Sequence, residues 1–261
     1  MHRILLILLL LAIIPPSLPG CATNASLGDA YDAYEQGEYG DAYRSATQVV
    51  RRARGNERLE AAYVAGLSAQ RLKRPTDAQR YLGLAARSRR PKVAGEALAS
   101  LGLLHHEQGR YDRAARALLE SAPLLVGDDR ARSYFHAARA QQKLGRWSAA
   151  WTNMTMAQSL ARDPALLRQI AAEKRHTGWT VQTGAFEVEA HARRELERVN
   201  RRAAGLSLGR PRLVRASRGG RTLHLVQIGH FSSYATALKG RDRLRMVSAQ
   251  PVPLTSLSRV N

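Results

Sequence analysis

The chain has 261 residues, of which 44% are hydrophobic and 24% are charged. That balance is typical of folded domains and excludes a largely disordered chain, and the length suffices for two ordinary domains. The net charge of +20 predicts an anionic partner, which leaves nucleic acid, a membrane surface and an acidic wall polymer open; the excess of Arg also fits a genome-wide bias on solvated surfaces.

The first residues have the pattern of an export signal. A basic start, Met1 to Arg3, precedes an apolar run over residues 4–14, which is too short to span a bilayer as a mature helix. Cys21, the only cysteine, ends the segment Leu18-Pro19-Gly20-Cys21. This segment resembles the lipobox of bacterial lipoproteins, although Pro19 departs from the usual residue.

The lipobox resemblance implies that residues 1–20 are a lipoprotein signal peptide. Cleavage then leaves Cys21 as the first residue, its thiol acylated by chains such as palmitate, and residues 21–28 form a short tether. Ala22, in place of Asp, favours the outer membrane, facing the periplasm. The alternative is an ordinary secretory signal followed by an incidental cysteine.

Residues 29–176 repeat with a period of 36 residues. Three columns stay in register over four repeats: Ala42, Ala78, Ala114 and Ala150; Gly37, Lys73, Gly109 and Gly145; and Tyr39, Pro75, Tyr111 and Trp147. This pattern is similar to the tetratricopeptide repeat (TPR). The resemblance implies an α-solenoid of helical hairpins, with residues 164–176 as one further helix that caps the array.

The same resemblance implies a protein-binding groove lined by the first helix of each hairpin. The positions carried over by register are Tyr63, Leu67, Gln70, Arg71, Leu103, His106, Phe135, Arg139, Gln142 and Lys143. Their basic and partly aromatic character favours an extended acidic or amphipathic peptide from an unknown protein client. Alternatively, these side chains only cover the helices and keep them soluble.

Residues 177–258 change to a βαβ pattern that occurs twice. Strands are predicted over 179–186, 212–216, 222–229 and 250–255, with a hairpin turn over 218–221 and helices over 190–203 and after Ser233. The two prolines of the last segment restrict that strand to a sheet edge. We therefore predict an α+β domain of ferredoxin-like βαββαβ order.

The two halves of this domain share a motif. The segment Val-Gln-Thr-Gly-Ala-Phe at 181–186 recurs 45 residues later as Val-Gln-Ile-Gly-His-Phe at 226–231. This resembles the SPOR domain, whose signature is two such strands. The resemblance implies binding to peptidoglycan glycan strands that lack stem peptides, and accumulation at the division septum, where such strands are made.

Alternation along the strands predicts which residues meet the glycan. Val181, Thr183, Val226 and Ile228 should lie under the helices, so their neighbours face the other way. The predicted peptidoglycan-binding residues are Gln182, Gly184, Arg221, Leu223, Leu225 and Gln227, with Gln182 mapping onto the family's glutamine. Amides suit sugar hydroxyl and acetamido groups, and glycines allow close approach. Alternatively, Gln182 only solubilises an exposed sheet.

Catalytic motifs are not found in the sequence, so we expect no enzyme activity, no catalytic residue, no cofactor and no metal site. Of the candidate partners, nucleic acid has the least support, because the central strands lack paired outward aromatic residues and export removes the chain from RNA. Two hypotheses remain: a septal peptidoglycan-binding lipoprotein that presents a TPR scaffold, or an outer-membrane assembly or secretion scaffold with the last domain only a wall tether. The sequence does not decide between division, sporulation and envelope maintenance.

Overall fold

The computed structural model describes residues 25–254. The predicted signal peptide, the lipidation at Cys21 and residues 255–258 of the predicted C-terminal domain lie outside the described residues. Within residues 25–254, no helix combines the length and the apolar character needed to cross a membrane.

The N-terminal part is built from antiparallel helical hairpins. Its helices are α1 (Leu27–Glu35), α2 (Tyr39–Arg52), α3 (Gly55–Arg71), α4 (Pro75–Ala85), α5 (Pro91–Glu107), α6 (Tyr111–Ser121), α7 (Gly127–Lys143), α8 (Trp147–Leu160) and α9 (Pro164–Lys174), with a 3-10 turn at Ala122–Leu124. Each helix packs on the next, and α1, α3, α5, α7 and α9 also contact one another in sequence. This arrangement is an α-solenoid of TPR-like hairpins.

Small residues set how closely the two helices of a hairpin pack. The column Ala42, Ala78, Ala114 and Ala150 is fully buried in the second helices. In the first helices, a Cβ added to Gly66 would lie 2.7 Å from the Leu82 side chain, and one added to Gly102 would lie 2.5 Å from that of Leu118. The repeat of small residues therefore follows from helix contact.

The C-terminal part is a four-stranded antiparallel sheet with two helices on one face. Its elements are β1 (Trp179–Phe186), α10 (Glu189–Ala203), β2 (Arg212–Arg218), β3 (Arg221–Phe231), α11 (Tyr234–Leu244) and β4 (Gln250–Pro253), and the strand order is β2-β3-β1-β4. This is the ferredoxin-like order predicted from the sequence, and β4, with its two prolines, lies at an edge.

The core of this part lies between the sheet and the two helices. Val181, Val226 and Ile228 are fully buried there, packed with Val199 of α10 and Leu244 of α11. Successive strand residues point to opposite faces of a sheet. Gln182, Leu225 and Gln227 therefore lie on the second face of the sheet, which we call the open face.

The two parts meet at a packed joint. His230 of β3 lies edge-on to the Trp151 ring of α8, with ring centroids 4.6 Å apart, and its Nε2 is 2.8 Å from the carbonyl oxygen of Thr177. A carbonyl only accepts, so Nε2 carries the proton. The Gln142 amide of α7 donates to the Thr177 hydroxyl at 2.6 Å. Partial burial lowers the pKa of His230, which favours the neutral form of its ring.

Candidate functional site

The strand register aligns four polar side chains in one row across the open face. Arg212 of β2 pairs with Gln227 of β3, Gln227 pairs with Gln182 of β1, and Gln182 pairs with Gln250 of β4. Paired residues of antiparallel strands share a face, so the polar row crosses all four strands. The row consists of one guanidinium and three amides, which between them donate and accept hydrogen bonds.

An apolar row lies directly beside the polar row. Val214, Leu225 and Ala185 are paired across β2, β3 and β1, and Ala216 pairs with Leu223 one step further along. Ala185 is exposed and Val214 is half-buried, whereas Leu225 is 3% exposed. The open face therefore offers a polar strip and an apolar strip side by side.

The centre of the open face is less accessible than alternation predicts. Gln227 is 1% exposed, since it lies on the inner strand between Arg212 and Gln182. The Gln227 Oε1 accepts from Arg212 Nη2 at 3.3 Å, and the Gln227 Nε2 is a buried donor with no partner among the described atoms.

The two outer members of the polar row are the more available ones. Arg212 and Gln250 are exposed, and Gln182 is half-buried. The Arg212 guanidinium stays charged at every physiological pH. The row therefore carries a fixed positive charge at its β2 end.

The predicted open-face position of Gly184 is wrong. A bulge between Gln182 and Gly184 adds one residue to β1, so that Gly184 pairs with Val226 on the helix side. A Cβ added to Gly184 would lie 2.4 Å from the Phe186 ring, which packs against the core. Gly184 makes room for that ring, and it does not lie on the face where the polar row would meet a glycan.

The remaining predicted glycan-binding residues lie near the β2–β3 hairpin. Arg221 is exposed and its Nη1 is 2.9 Å from Glu187 Oε1, and Leu223 is half-buried. Sequence reasoning missed Arg212, Val214, Ala185 and Gln250. The signal that finds them is the register, because these residues are far apart in the chain and become neighbours only when the sheet forms.

The inner face of the solenoid carries a cavity of about 290 Å³ between α3, α5 and α7. Tyr63 and Leu103, two of the predicted groove residues, line it together with Glu96, Asp129 and His136. Burial raises the pKa of Tyr63, and the nearby Glu96 carboxylate raises it further. Burial lowers the pKa of His136 to about 4. Because Arg132 also lines it, the cavity has mixed charge, which differs from the basic character predicted for the groove as a whole.

The other predicted groove residues are placed by contacts within the protein. Phe135 is 1% exposed and belongs to the core, the Gln70 amide donates to the Ser100 carbonyl at 3.3 Å, and Gln142 belongs to the joint. The remainder lie on the helices as follows: Leu67 half-buried and Arg71 exposed on α3, His106 half-buried on α5, and Arg139 half-buried and Lys143 exposed on α7.

The comparison with protein families identifies the C-terminal part. Residues 175–254 match the family model described as SPOR domain. This segment is a SPOR domain. SPOR domains are binding domains for peptidoglycan and are not catalytic, so the match implies peptidoglycan binding in the cell envelope. The helical region fits TPR-like repeats without a match to a family model of that repeat, and no curated protein matches the chain.

Proposed function

We propose that this protein is a lipid-anchored envelope protein that binds glycan strands at the division septum through its SPOR domain and presents the TPR-like solenoid to a protein partner. The observation that carries the proposal is the polar row Arg212–Gln227–Gln182–Gln250 beside an apolar row, on the sheet face opposite α10 and α11. The lipobox at Cys21 supports the lipid anchor.

The two rows have the chemistry that a glycan needs. A sugar ring has hydroxyl and acetamido groups at its rim and weakly polar C–H groups on its faces. The amides of Gln182 and Gln250 donate and accept at the rim, while Ala185 and Val214 pack against a ring face. The unsatisfied Nε2 of Gln227 favours an acceptor such as an acetamido oxygen, because a buried donor without a partner costs about 1–3 kcal/mol.

The experiment compares the whole chain with a chain that lacks residues 175–254. Both are mixed with sacculi from which amidase has removed the stem peptides, and with untreated sacculi. We expect the whole chain to sediment with the amidase-treated sacculi and the deleted chain to stay in solution. A fluorescent fusion of the whole chain should accumulate at the septum. Equal sedimentation of both chains contradicts the proposal.

A second candidate is that the solenoid is the working part, as an assembly or secretion scaffold, with the SPOR domain only a tether to the wall. The cavity between α3, α5 and α7 favours it, because Tyr63 and Leu103 line a recess on the inner face of the array. A strain in which residues 175–254 are deleted separates the two candidates. If that strain grows and divides like the wild type, the scaffold is favoured. If it behaves like a strain that lacks the whole protein, glycan binding is favoured.

A further inference from the structure

A groove on the outer face of the solenoid lies between α2 and α4 and has a volume of about 830 Å³. Its apolar lining includes Val50 and Leu84. Its charged lining consists of Arg51, Arg58, Arg80 and Arg87. Within residues 25–254, no carboxylate lines it, so the groove is a basic surface with an apolar floor.

Most of these arginines have no counter-charge. Arg80 lies 3.7 Å from Asp77 and donates to the Tyr81 hydroxyl at 2.6 Å. Arg51 donates to the Thr47 carbonyl of its own helix at 3.3 Å. Among residues 25–254, Arg51, Arg58 and Arg87 are exposed and form no ion pair with a carboxylate. Their guanidinium groups are available to an external anion.

The three unpaired arginines belong to a larger basic edge. The antiparallel hairpins bring the α2–α3 and α4–α5 connections to the same edge of the solenoid. Residues 51–58 and 87–92 there contain a single acid, Glu57, and the following cations: Arg51, Arg52, Arg54, Arg58, Arg87, Arg89, Arg90 and Lys92. Of these, Arg90 pairs with Glu60 and Lys92 with Glu96. We call residues 51–58 and 87–92 the basic edge.

The later connections on the same edge are different. Asp128 accepts from the backbone amides of Arg162 and Asp163, and Arg132 lies between Asp129 and Asp163 at 3.1 and 3.5 Å. Two Asp therefore balance two Arg over residues 128–132 of the α6–α7 connection. At this edge of the solenoid, the unbalanced positive charge lies at the α2–α3 and α4–α5 connections.

The chain enters the solenoid at the basic edge. Arg52 donates from its Nη2 to the carbonyl of Ala25, just ahead of the Ser26 cap of α1. Ala25 is four residues after Cys21, a stretch that spans roughly 14 Å when fully extended. An acyl anchor on Cys21 therefore keeps the start of the basic edge within roughly 14 Å of the membrane surface, which is less than two Debye lengths at physiological salt.

We infer that the basic edge binds the phosphate groups of anionic phospholipids in the membrane that carries the anchor. Guanidinium groups pair with phosphate oxygens through two parallel hydrogen bonds. A lipid chain combined with a basic patch gives stable attachment where a single weak signal does not. The inference rests on the lipid anchor of the proposed function for its location, and on the described arginines for its chemistry.

The position of the charge favours a membrane over an acidic peptide. A peptide-binding groove needs its cations along its length, whereas Arg51, Arg58 and Arg87 lie together at the end of the groove that opens on the basic edge. A flat anionic surface reaches all of these groups at once. The remaining cations of the basic edge then add to the same contact.

The test uses the whole purified chain and vesicles of two compositions, phosphatidylcholine alone and phosphatidylcholine with phosphatidylglycerol. The variant carries Arg51→Gln, Arg58→Gln and Arg87→Gln. The control carries Arg113→Gln, Arg116→Gln and Arg168→Gln, which remove the same charge from exposed positions on α6 and α9, outside the basic edge. All three proteins retain the apolar N-terminal segment, so its contribution to vesicle binding is common to them, and circular dichroism checks that each is folded.

At about 1 kcal/mol for each basic residue near the membrane, the variant should partition onto the phosphatidylglycerol vesicles roughly a hundredfold less than the wild type at low salt. The control should bind like the wild type, and added salt should remove the difference. Equal binding of variant and control overturns the inference. A wild type that shows no preference for phosphatidylglycerol but binds a polyglutamate peptide also overturns it, in favour of an acidic protein.

The lipid anchor is tested separately, by mass spectrometry of Cys21 in the cell. If Cys21 is found without an acyl chain, the anchoring part of the proposed function is wrong. The vesicle result still stands in that case, because the vesicle experiment needs no acyl chain. Conversely, vesicle binding without phosphatidylglycerol preference removes this inference and leaves glycan binding by the SPOR domain untouched.

Discussion

The two glycines of the repeated SPOR motif have a packing role. A Cβ on Gly184 would lie 2.4 Å from the Phe186 ring, and a Cβ on Gly229 would lie 2.4 Å from the Phe231 ring. In each copy the aromatic ring folds back over the glycine two positions earlier. The spacing Gly-x-Phe is thus explained by the absence of a side chain beneath the ring, and close approach of a sugar is not needed to account for it.

Gly229→Ala should destabilise the SPOR domain by roughly 2 kcal/mol, because Gly229 combines the ring contact with a φ of +80° that a non-glycine residue adopts only with strain. Urea unfolding measures the effect. Gly83→Ala is the matched control, because Gly83 lies inside α4 and no described atom is within 4 Å of an added Cβ. This substitution should raise the free energy of unfolding by up to about 1 kcal/mol. A neutral Gly229→Ala contradicts the packing role.

His136 should make the stability of the protein depend on pH. Burial, helped by nearby Arg139, lowers the pKa of His136 to about 4 from its ordinary value of 6.5. Between these values an unfolded chain binds a proton that the folded chain does not, so the free energy of unfolding falls by about 3 kcal/mol as the pH drops. We expect His136→Gln to lose less stability than the wild type between about pH 7 and about pH 4. Identical losses contradict this prediction.

At the scale of elements, the repeat of 36 residues predicted the solenoid because two of its three columns have a physical cause: close helix packing at the alanine column and turn geometry at the glycine column. Gly37, Gly109 and Gly145 have φ values of +82°, +71° and +70° at the turn between the helices of a hairpin. Lys73 occupies the same position with a φ of +56°. The turn geometry is therefore imposed by the repeat even where the residue is unsuited to it.

Lys73→Gly should stabilise the protein by about 1 kcal/mol, because glycine adopts the left-handed conformation without the steric cost that a Cβ brings. Thermal unfolding provides the measurement. Lys143→Gly is the control, since Lys143 lies in the last turn of α7, where glycine weakens a helix by a similar amount. If Lys73→Gly lowers the melting temperature as Lys143→Gly does, the turn at Lys73 is not strained.

The sequence predicted the order of strands and helices but not the register of the sheet. The bulge after Gln182 reverses the face of Gly184, and nothing in the segment 181–186 distinguishes a bulged strand from a regular one. The predicted solenoid groove failed at Phe135 for a related reason. A helix residue at a groove register can turn into the core when its neighbours leave room, as Phe135 does at 1% exposure.

At the scale of the whole molecule, the candidate site exists only in the folded domain. Gln182 was found from a motif, whereas Arg212 and Gln250 lie in segments with no motif and join Gln182 through pairing across four strands. The joint was missed as well, because His230 occupies a variable position of the motif, and its contacts with Trp151 and Thr177 link segments distant in sequence.

The joint and the basic edge place the two binding surfaces in a defined relation. Trp151 and Gln142 of the last hairpin hold the SPOR domain at one end of the solenoid, and the chain that leads to Cys21 enters at the other end. If Cys21 is acylated and the open face binds glycan, as we propose, the two contacts lie at opposite ends of the array. On this account the solenoid is a spacer between membrane and wall as well as a partner-binding surface.

The most direct test of the account is the affinity of the whole chain for stem-free glycan chains, measured by isothermal titration calorimetry for the wild type, Gln182→Ala and Asn200→Ala. Asn200 is an exposed amide on α10, on the helix side of the same domain. We predict that Gln182→Ala weakens binding about tenfold, as expected for the loss of one to two hydrogen bonds, and that Asn200→Ala binds like the wild type. Equal affinities for the wild type and Gln182→Ala, with both folded, would contradict the assignment of the open face as the glycan site.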